Sequence, residues 1–262
     1  MSDILDTIAS YAEQRVEEAR RKVPLAVLKE QARCMGRETG FPFEKALSRK
    51  DVSFICEVKR ASPSKGLIDP DFPYLDIARE YEAAGAAAIS VLTEPKWFMG
   101  SDRYLKEISS QVSIPCLRKD FVVDEYMIYE AKVLGASAVL LICSILDEER
   151  LRYYIKTADS LGLSALVEAH TASEIQMAVG CGARVIGVNN RNLRDFTVDV
   201  GNSVMLRRLV PPDILLVGES GISGPEDVEA LRRADVDGAL VGESMMRAED
   251  KKEMLRFLRG YR

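Results

Sequence analysis

The stretch "SAVLLICSILDEERLRYYIKTADSLGLSALVEAH", residues 137–170, places two short apolar runs, "SAVLLIC" and "LSALVEAH", on either side of a charged segment of helical period. That pattern reads as strand, helix, strand. The runs are apolar almost throughout, which implies burial on both faces, the habit of parallel strands covered by helices. Six further runs of the same kind, "VSFICEVK", "AAAISVLT", "SIPCLRKD", "ARVIGVNN", "DILLVGES" and "VDGALVGE", bring the number to eight from residue 50 onward. Each is followed by a helix candidate, the last by a C-terminal helix ending near Phe257. Eight such units in about 210 residues predict an α/β fold of the (β/α)8 TIM-barrel class. An open doubly wound sheet fits less well, because G-x-G-x-x-G is absent after the first strand. Small residues before several strands ("EAAGAAAIS", "VLGASAVLL", "VGCGARVIGV") read as glycine helix stops and tight turns.

The chain has 262 residues, 47% of them hydrophobic, and no compositional break, so one domain spanning 1–262 is expected. Residues 50–262 form the barrel in this reading, and 1–48 an N-terminal helical extension. In that extension Ile4, Ile8, Tyr11, Val16 and Ala19 keep helical spacing, Pro24 interrupts, and "LAVLKEQARCMG" resumes. Packing or capping against the barrel is favoured for it over a lid across the barrel mouth. The net charge of −5 comes without a basic block, which argues against nucleic-acid and membrane-surface partners. An acidic start and the lack of any apolar run near ~18 residues point to a cytoplasmic protein. Five scattered cysteines and one histidine offer neither a disulfide framework nor zinc spacing.

In barrels of this class the chemistry lies where strands end and loops begin. The first strand ends with Glu57 and Lys59, the third with Lys119 and the fifth with Glu168. The sixth ends with Asn189 and Arg191, the seventh with Glu219 and Ser220. Alternate residues of a strand share a face, so Glu57 and Lys59 form a neighbouring acid and base. Any one of these taken singly reads as a rim charge. Together they form a ring that is costly unless paired or ligand-bound, and one able to hold a lysine proton donor beside a carboxylate. His170, in "EAHTASE", reads as loop, with Thr171 or Ser173 capping the next helix. Gly221 and Gly242, in the turns after strands seven and eight, are placed to let backbone N–H groups approach a phosphate.

The segments "EVKRASPSKG", "LTEPKWFMGS", "LRKDFVVDEYMIYEA", "LVEAH", "GVNNRNL", "GESGI" and "LVGESMM" occur in that order and fall on nearly every strand-to-helix loop. With them the chain closely resembles the indole-3-glycerol-phosphate synthase family from about residue 50 to the end, and the N-terminal segment looks like that family's extra helices. The resemblance implies conversion of 1-(2-carboxyphenylamino)-1-deoxyribulose 5-phosphate to indole-3-glycerol phosphate. Carbon dioxide and water are lost, and no metal or organic cofactor takes part.

By the same resemblance Lys119 is the general acid that protonates the substrate carbonyl, and Glu168 the base or electrostatic partner of the anilino nitrogen. Glu57 and Lys59 serve the later dehydration, Asn189 orients the substrate beside Arg191, and Glu219 supports the charge network. Ser62 in "ASPSKG", with Lys65, is carried over the substrate. Phe98 and Phe121 lie near the anthranilate ring, and Ser220, Gly221, Gly242 and Glu243 hold the phosphate end. Glu243 departs from the family's small hydroxyl, and a carboxylate there repels phosphate unless it turns away. "EAHT" also lacks an acid often found after the histidine. The expected partner is a small phosphorylated substrate, and the chain is compatible with a monomer. A phosphoribosylanthranilate isomerase-like barrel would share the glycine cradle but not the N-terminal helices. A catalytically silent scaffold barrel would not need the strand-end charges.

Overall fold

The structure is a computed structural model that describes residues 4–191 and 197–260. Among the described residues, eight parallel strands close into a barrel. They are β1 (Ser53–Val58), β2 (Ala88–Leu92), β3 (Cys116–Lys119), β4 (Ala138–Ile142), β5 (Ser164–Ala169), β6 (Val185–Asn189), β7 (Leu215–Glu219) and β8 (Gly238–Val241). Each strand pairs with its sequence neighbours, and β1 closes the ring against β8 with Ser53 opposite Gly238 and Cys56 opposite Val241. All eight fall within the runs named above. The last two residues of the "GVNNRNL" segment, Asn192 and Leu193, lie outside the described residues.

The strand period of two sorts the chain into layers. Ile55, Leu117, Leu140, Leu166, Val185, Val217 and Leu240 meet inside the barrel as one apolar cluster. Two residues further along the same strands, the same face carries Glu57, Lys119, Glu168, Gly187, Glu219 and Gly242. The charged ring is therefore the layer above a dry apolar floor. The opposite strand faces pack against the surrounding helices in a second, larger cluster.

The N-terminal extension serves both ends of the barrel. It forms α1 (Ile4–Lys22), α2 (Leu25–Cys34) and α3 (Pro42–Leu47). Phe43 and Leu47 of α3 are fully buried in the interior cluster and plug the end where the strands begin. There Glu44 pairs with Arg184 at 2.8 Å and accepts from Ser164 Oγ at 2.9 Å. At the other end, Ile4, Leu5 and Ile8 of α1 reach the mouth of the barrel. The packing favoured in the sequence reading is thus seen for α3, while α1 stands beside the mouth.

Candidate active site

A cavity of about 660 Å³ opens at the C-terminal ends of the strands. It is walled by the charged ring below, Ile4 and Ile8 of α1 on one side, and the turns after β7 and β8 on another. Lys119, at the end of β3, stands between two carboxylates. Its Nζ is 3.4 Å from Glu168 Oε2 and 3.5 Å from Glu219 Oε2. Burial opposes the ammonium, but Glu168, Glu219 and Glu57 together outweigh it and raise the Lys119 pKa. Glu168 is held by two groups besides: Asn189 Nδ2 donates to Oε1 at 3.3 Å, and His170 Nε2 lies 3.6 Å from the same oxygen. Burial pushes the Glu168 pKa up, yet Lys119 and His170 bring it below the usual carboxylate value.

Glu57 and Lys59 form the second pair, with Lys59 Nζ donating to Glu57 Oε2 at 2.6 Å. Desolvation of Glu57 is overcome by Lys59 and Lys119, and its pKa falls. Gly242 makes this pair possible. A Cβ at that position would lie 2.7 Å from both Glu57 Oε2 and Lys59 Nζ. The sequence singled out Gly242 for phosphate, and the geometry gives its missing side chain this steric duty as well.

Glu219 behaves differently from the other two carboxylates. Burial, the largest influence, prevails over the attraction of Lys119, and its pKa rises to about 8. Its Oε1 is buried without a hydrogen-bond partner among the described residues.

The loops deliver the remaining residues. Ser62 belongs to a small hairpin of Ala61–Ser62 against Gly66–Leu67, lying on the cavity. Phe98 and Phe121 face the same space with ring centroids 6.2 Å apart. Phe98 is set in place by Glu94, a buried carboxylate that accepts from the backbone N–H groups of Lys96, Trp97 and Phe98 at 2.9, 2.7 and 3.0 Å. Phe121 follows Asp120, which accepts from the Phe121 amide at 2.8 Å and from Thr93 Oγ1 at 2.6 Å. Glu94 and Asp120 had no sequence signal beyond being acids in apolar surroundings. A buried carboxylate next to a loop start must find donors, and that is the rule that would have found them.

At the opposite end, Ser220 and Gly221 both adopt positive φ (67° and 81°), which turns the chain sharply after β7. Arg191, Gly221, Gly242 and Glu243 all line the cavity, and the Arg191 amide donates to Asn189 Oδ1 at 3.0 Å. The Glu243 carboxylate turns to the rim, where Oε1 meets Arg247 Nε at 3.2 Å and Lys65 Nζ at 3.4 Å. Its own amide begins the short helix Glu243–Arg247. Asn190 supports this end from below by donating to the Ser220 carbonyl at 3.1 Å. His170 stands closer to the chemistry than its loop reading gave it, while Thr171 does cap the next helix by accepting from the Glu174 amide.

The indole-3-glycerol phosphate synthase family model matches residues 5–258. The chain belongs to that family. It is similar to the indole-3-glycerol phosphate synthase of Ruminiclostridium cellulolyticum, with 54% identity over 98% of this chain and 99% of the relative. The synthase of Lachnoclostridium phytofermentans is 50% identical, with 98% of each chain covered. Among solved structures, 3-hexulose-6-phosphate synthase from Salmonella typhimurium superposes with a TM-score of 0.65 over 80% of this chain and 97% of that one. At 13% identity that likeness is one of fold alone. The family membership agrees with the resemblance carried by the loop segments, and the ring of strand-end charges is where those segments converge.

Proposed function

We propose that the chain is an indole-3-glycerol phosphate synthase acting on 1-(2-carboxyphenylamino)-1-deoxyribulose 5-phosphate, with Lys119 as the acid of ring closure. The observation that carries the proposal is an ammonium held between Glu168 and Glu219 at the floor of a cavity with an aromatic wall and a glycine turn. In the first step the ring carbon bearing the carboxylate attacks the sugar carbonyl carbon, and the carbonyl oxygen takes the proton of Lys119. A fixed ammonium in a dry site stabilises the developing oxyanion before giving up its proton. Glu168 faces the anilino nitrogen and favours positive charge there. Carbon dioxide then leaves, and its bonding electrons restore the ring.

Dehydration uses the second pair. Lys59 protonates the departing hydroxyl and Glu57 takes the proton from the neighbouring carbon, which forms the indole double bond. Asn189 and Arg191 orient the substrate, Ser62 closes over it, and Phe98 with Phe121 flanks the aromatic ring. Ser220, Gly221, Gly242 and the Glu243 amide offer N–H groups to the phosphate.

We also take 1–262 as one domain, a barrel served by its N-terminal extension, working in the cytoplasm and as a monomer. Among the described residues no helix is long and apolar enough to cross a membrane. The proposal is tested by incubating the purified chain with the carboxyphenylamino substrate and following indole absorbance and carbon dioxide release together. Equal yields are expected, and carbon dioxide without indole would separate the two steps and remove the Glu57 and Lys59 assignment.

A further inference from the structure

We propose that Gly187 is a positioning residue for ring closure: the slot left by its missing side chain seats the Glu219 carboxyl, and that carboxyl is the store that returns a proton to Lys119. The inference rests on the reaction proposed above.

The need for a store follows from the proton balance. The substrate enters as a carboxylate and loses neutral carbon dioxide, so each turnover consumes one proton. Two protons are delivered to oxygen, one at the carbonyl and one to the departing hydroxyl. Only one comes back, from the carbon that becomes part of the indole double bond. Lys119 is left a proton short after each cycle; a neighbouring acid refills it, and that acid takes its own proton back from solvent through the open cavity once product leaves.

Glu219 is placed to do so. In the layer of strand-end side chains on the barrel floor three carboxylates, Glu57, Glu168 and Glu219, meet two ammoniums, Lys59 and Lys119, while Arg191 lines the cavity from beyond the end of β6. All three carboxylates are buried, and burial disfavours the surplus charge, so one carboxyl is best neutral. Glu57 accepts from Lys59 and Ser90, and Glu168 accepts from Lys119 and Asn189 with His170 beside it. His170 has a carboxylate of its own in Glu174, 3.6 Å from Nδ1. Among the described residues Glu219 alone of the three has an oxygen buried with no partner, and its other oxygen faces Lys119 at 3.5 Å. Burial raises its pKa in the same sense, and Glu168 and Glu57 add to that rise.

Gly187 creates the place. On β6 it lies between Val185 of the apolar floor and Asn189 of the ring, and it pairs with Glu168 on one side and Val217 on the other. A Cβ there would fall 2.0 Å from Glu219 Oε1 and 3.1 Å from its Cδ. The φ of Gly187 is not in the left-handed region, so the backbone tolerates alanine and the carboxyl has to move.

The test follows indole formation by the full chain from about pH 5.5 to about pH 9.5. It compares the wild type with Gly187→Ala, Glu219→Gln, Glu219→Asp and the Gly187→Ala/Glu219→Asp double variant. For the wild type, kcat falls on the alkaline side as Glu219 loses its proton. Glu219→Gln lowers kcat at least about tenfold and lacks that limb. Gly187→Ala lowers kcat about tenfold and moves the limb to lower pH, because the displaced carboxyl gains solvent and ionises more readily. The double variant, whose carboxyl is one methylene shorter, regains about fivefold over Gly187→Ala. The proposal is overturned by a Gly187→Ala variant within twofold of wild type with an unmoved limb. A double variant whose loss is the product of the single losses overturns it too. Should Gly187→Ala lack a cooperative melt, a retained alkaline limb in Glu219→Gln overturns it alone. A wild-type chain that forms no indole removes the underlying reaction instead, an outcome distinct from an active chain with unmoved pH limbs.

Discussion

The guanidinium of Arg15, on the first helix, lies 2.6 Å from Oδ1 of Asp120, a fully buried carboxylate and the immediate neighbour of Lys119. Burial would raise the Asp120 pKa, but Arg15 and Arg118 hold it below the usual carboxylate value. The N-terminal helix is thereby fastened to the strand that carries the proposed acid. Truncating Arg15 leaves that carboxylate short of its main partner, and removing one member of a buried pair costs about 3 kcal/mol. Arg15→Ala is expected to lower the urea midpoint accordingly and to raise KM, since Ile4 and Ile8 of the same helix wall the cavity. An unchanged midpoint would mean that Thr93 and the Phe121 amide suffice for Asp120.

Lys119→Met keeps most of the volume and removes the proton. We expect kcat to fall by about 10²–10⁴, the usual worth of a general acid, with a cooperative melt retained. The melt matters because Glu168 loses its cation and must bind a proton to stay buried. A variant with kcat near that of wild type would remove Lys119 from its role.

Stability should depend on pH in two opposite ways. Glu57 and Glu168 have depressed pKa values, so their contribution is present above the ordinary carboxylate value and is lost as pH falls through the folded values. Glu219 is raised from 4.5 to about 8, so its contribution is present at low pH and declines as pH rises between those values. Glu219→Gln mimics the protonated acid and should flatten the decline, whose slope for one proton is at most about 1.4 kcal/mol per pH unit. His170 is raised by Glu174 and Glu168 against its burial and loses its contribution in the same direction. His170→Asn therefore belongs in the same series of urea titrations at pH 5, 6, 7 and 8. Parallel curves for wild type and Glu219→Gln would refute the raised carboxyl.

The departure at Glu243 has a kinetic consequence. Its carboxylate draws Lys65 and Arg247 toward the rim, away from an incoming phosphate. Ion pairs this exposed are worth no more than about 1 kcal/mol, so Glu243→Ser should lower KM by up to about fivefold and leave kcat alone. The effect should shrink in high salt. A raised KM would show instead that the Lys65 contact holds the hairpin in its working position.

Much of this was legible in the sequence because strands of a parallel barrel are written in the plainest code available. "SAVLLIC" and "LSALVEAH" alternate with helices, and the residue where each apolar run turns polar is the residue at the barrel mouth. Glu57, Lys119, Glu168 and Glu219 could be placed on that basis. Steric relations were not legible. Nothing in "VIGVNN" says that the glycine clears room for a carboxyl on the next strand, and nothing in "LVGES" says that Gly242 clears room for Glu57 and Lys59. Both depend on register between strands distant in sequence. The two duties of the N-terminal segment were hidden for a similar reason. Its helical period shows that it packs, whereas Phe43 at one end of the barrel and Ile8 at the other show where.

The most direct test of the central claim is a single-turnover reaction with enzyme in excess over 1-(2-carboxyphenylamino)-1-deoxyribulose 5-phosphate, with a metal chelator present. Wild-type chain and Lys119→Met are followed side by side by indole fluorescence. A full indole signal is expected from the wild type, undiminished by the chelator, and none on the same timescale from Lys119→Met, although that variant still binds the substrate. Equal signals from the two proteins, or silence from a wild-type chain that binds the substrate, would contradict it.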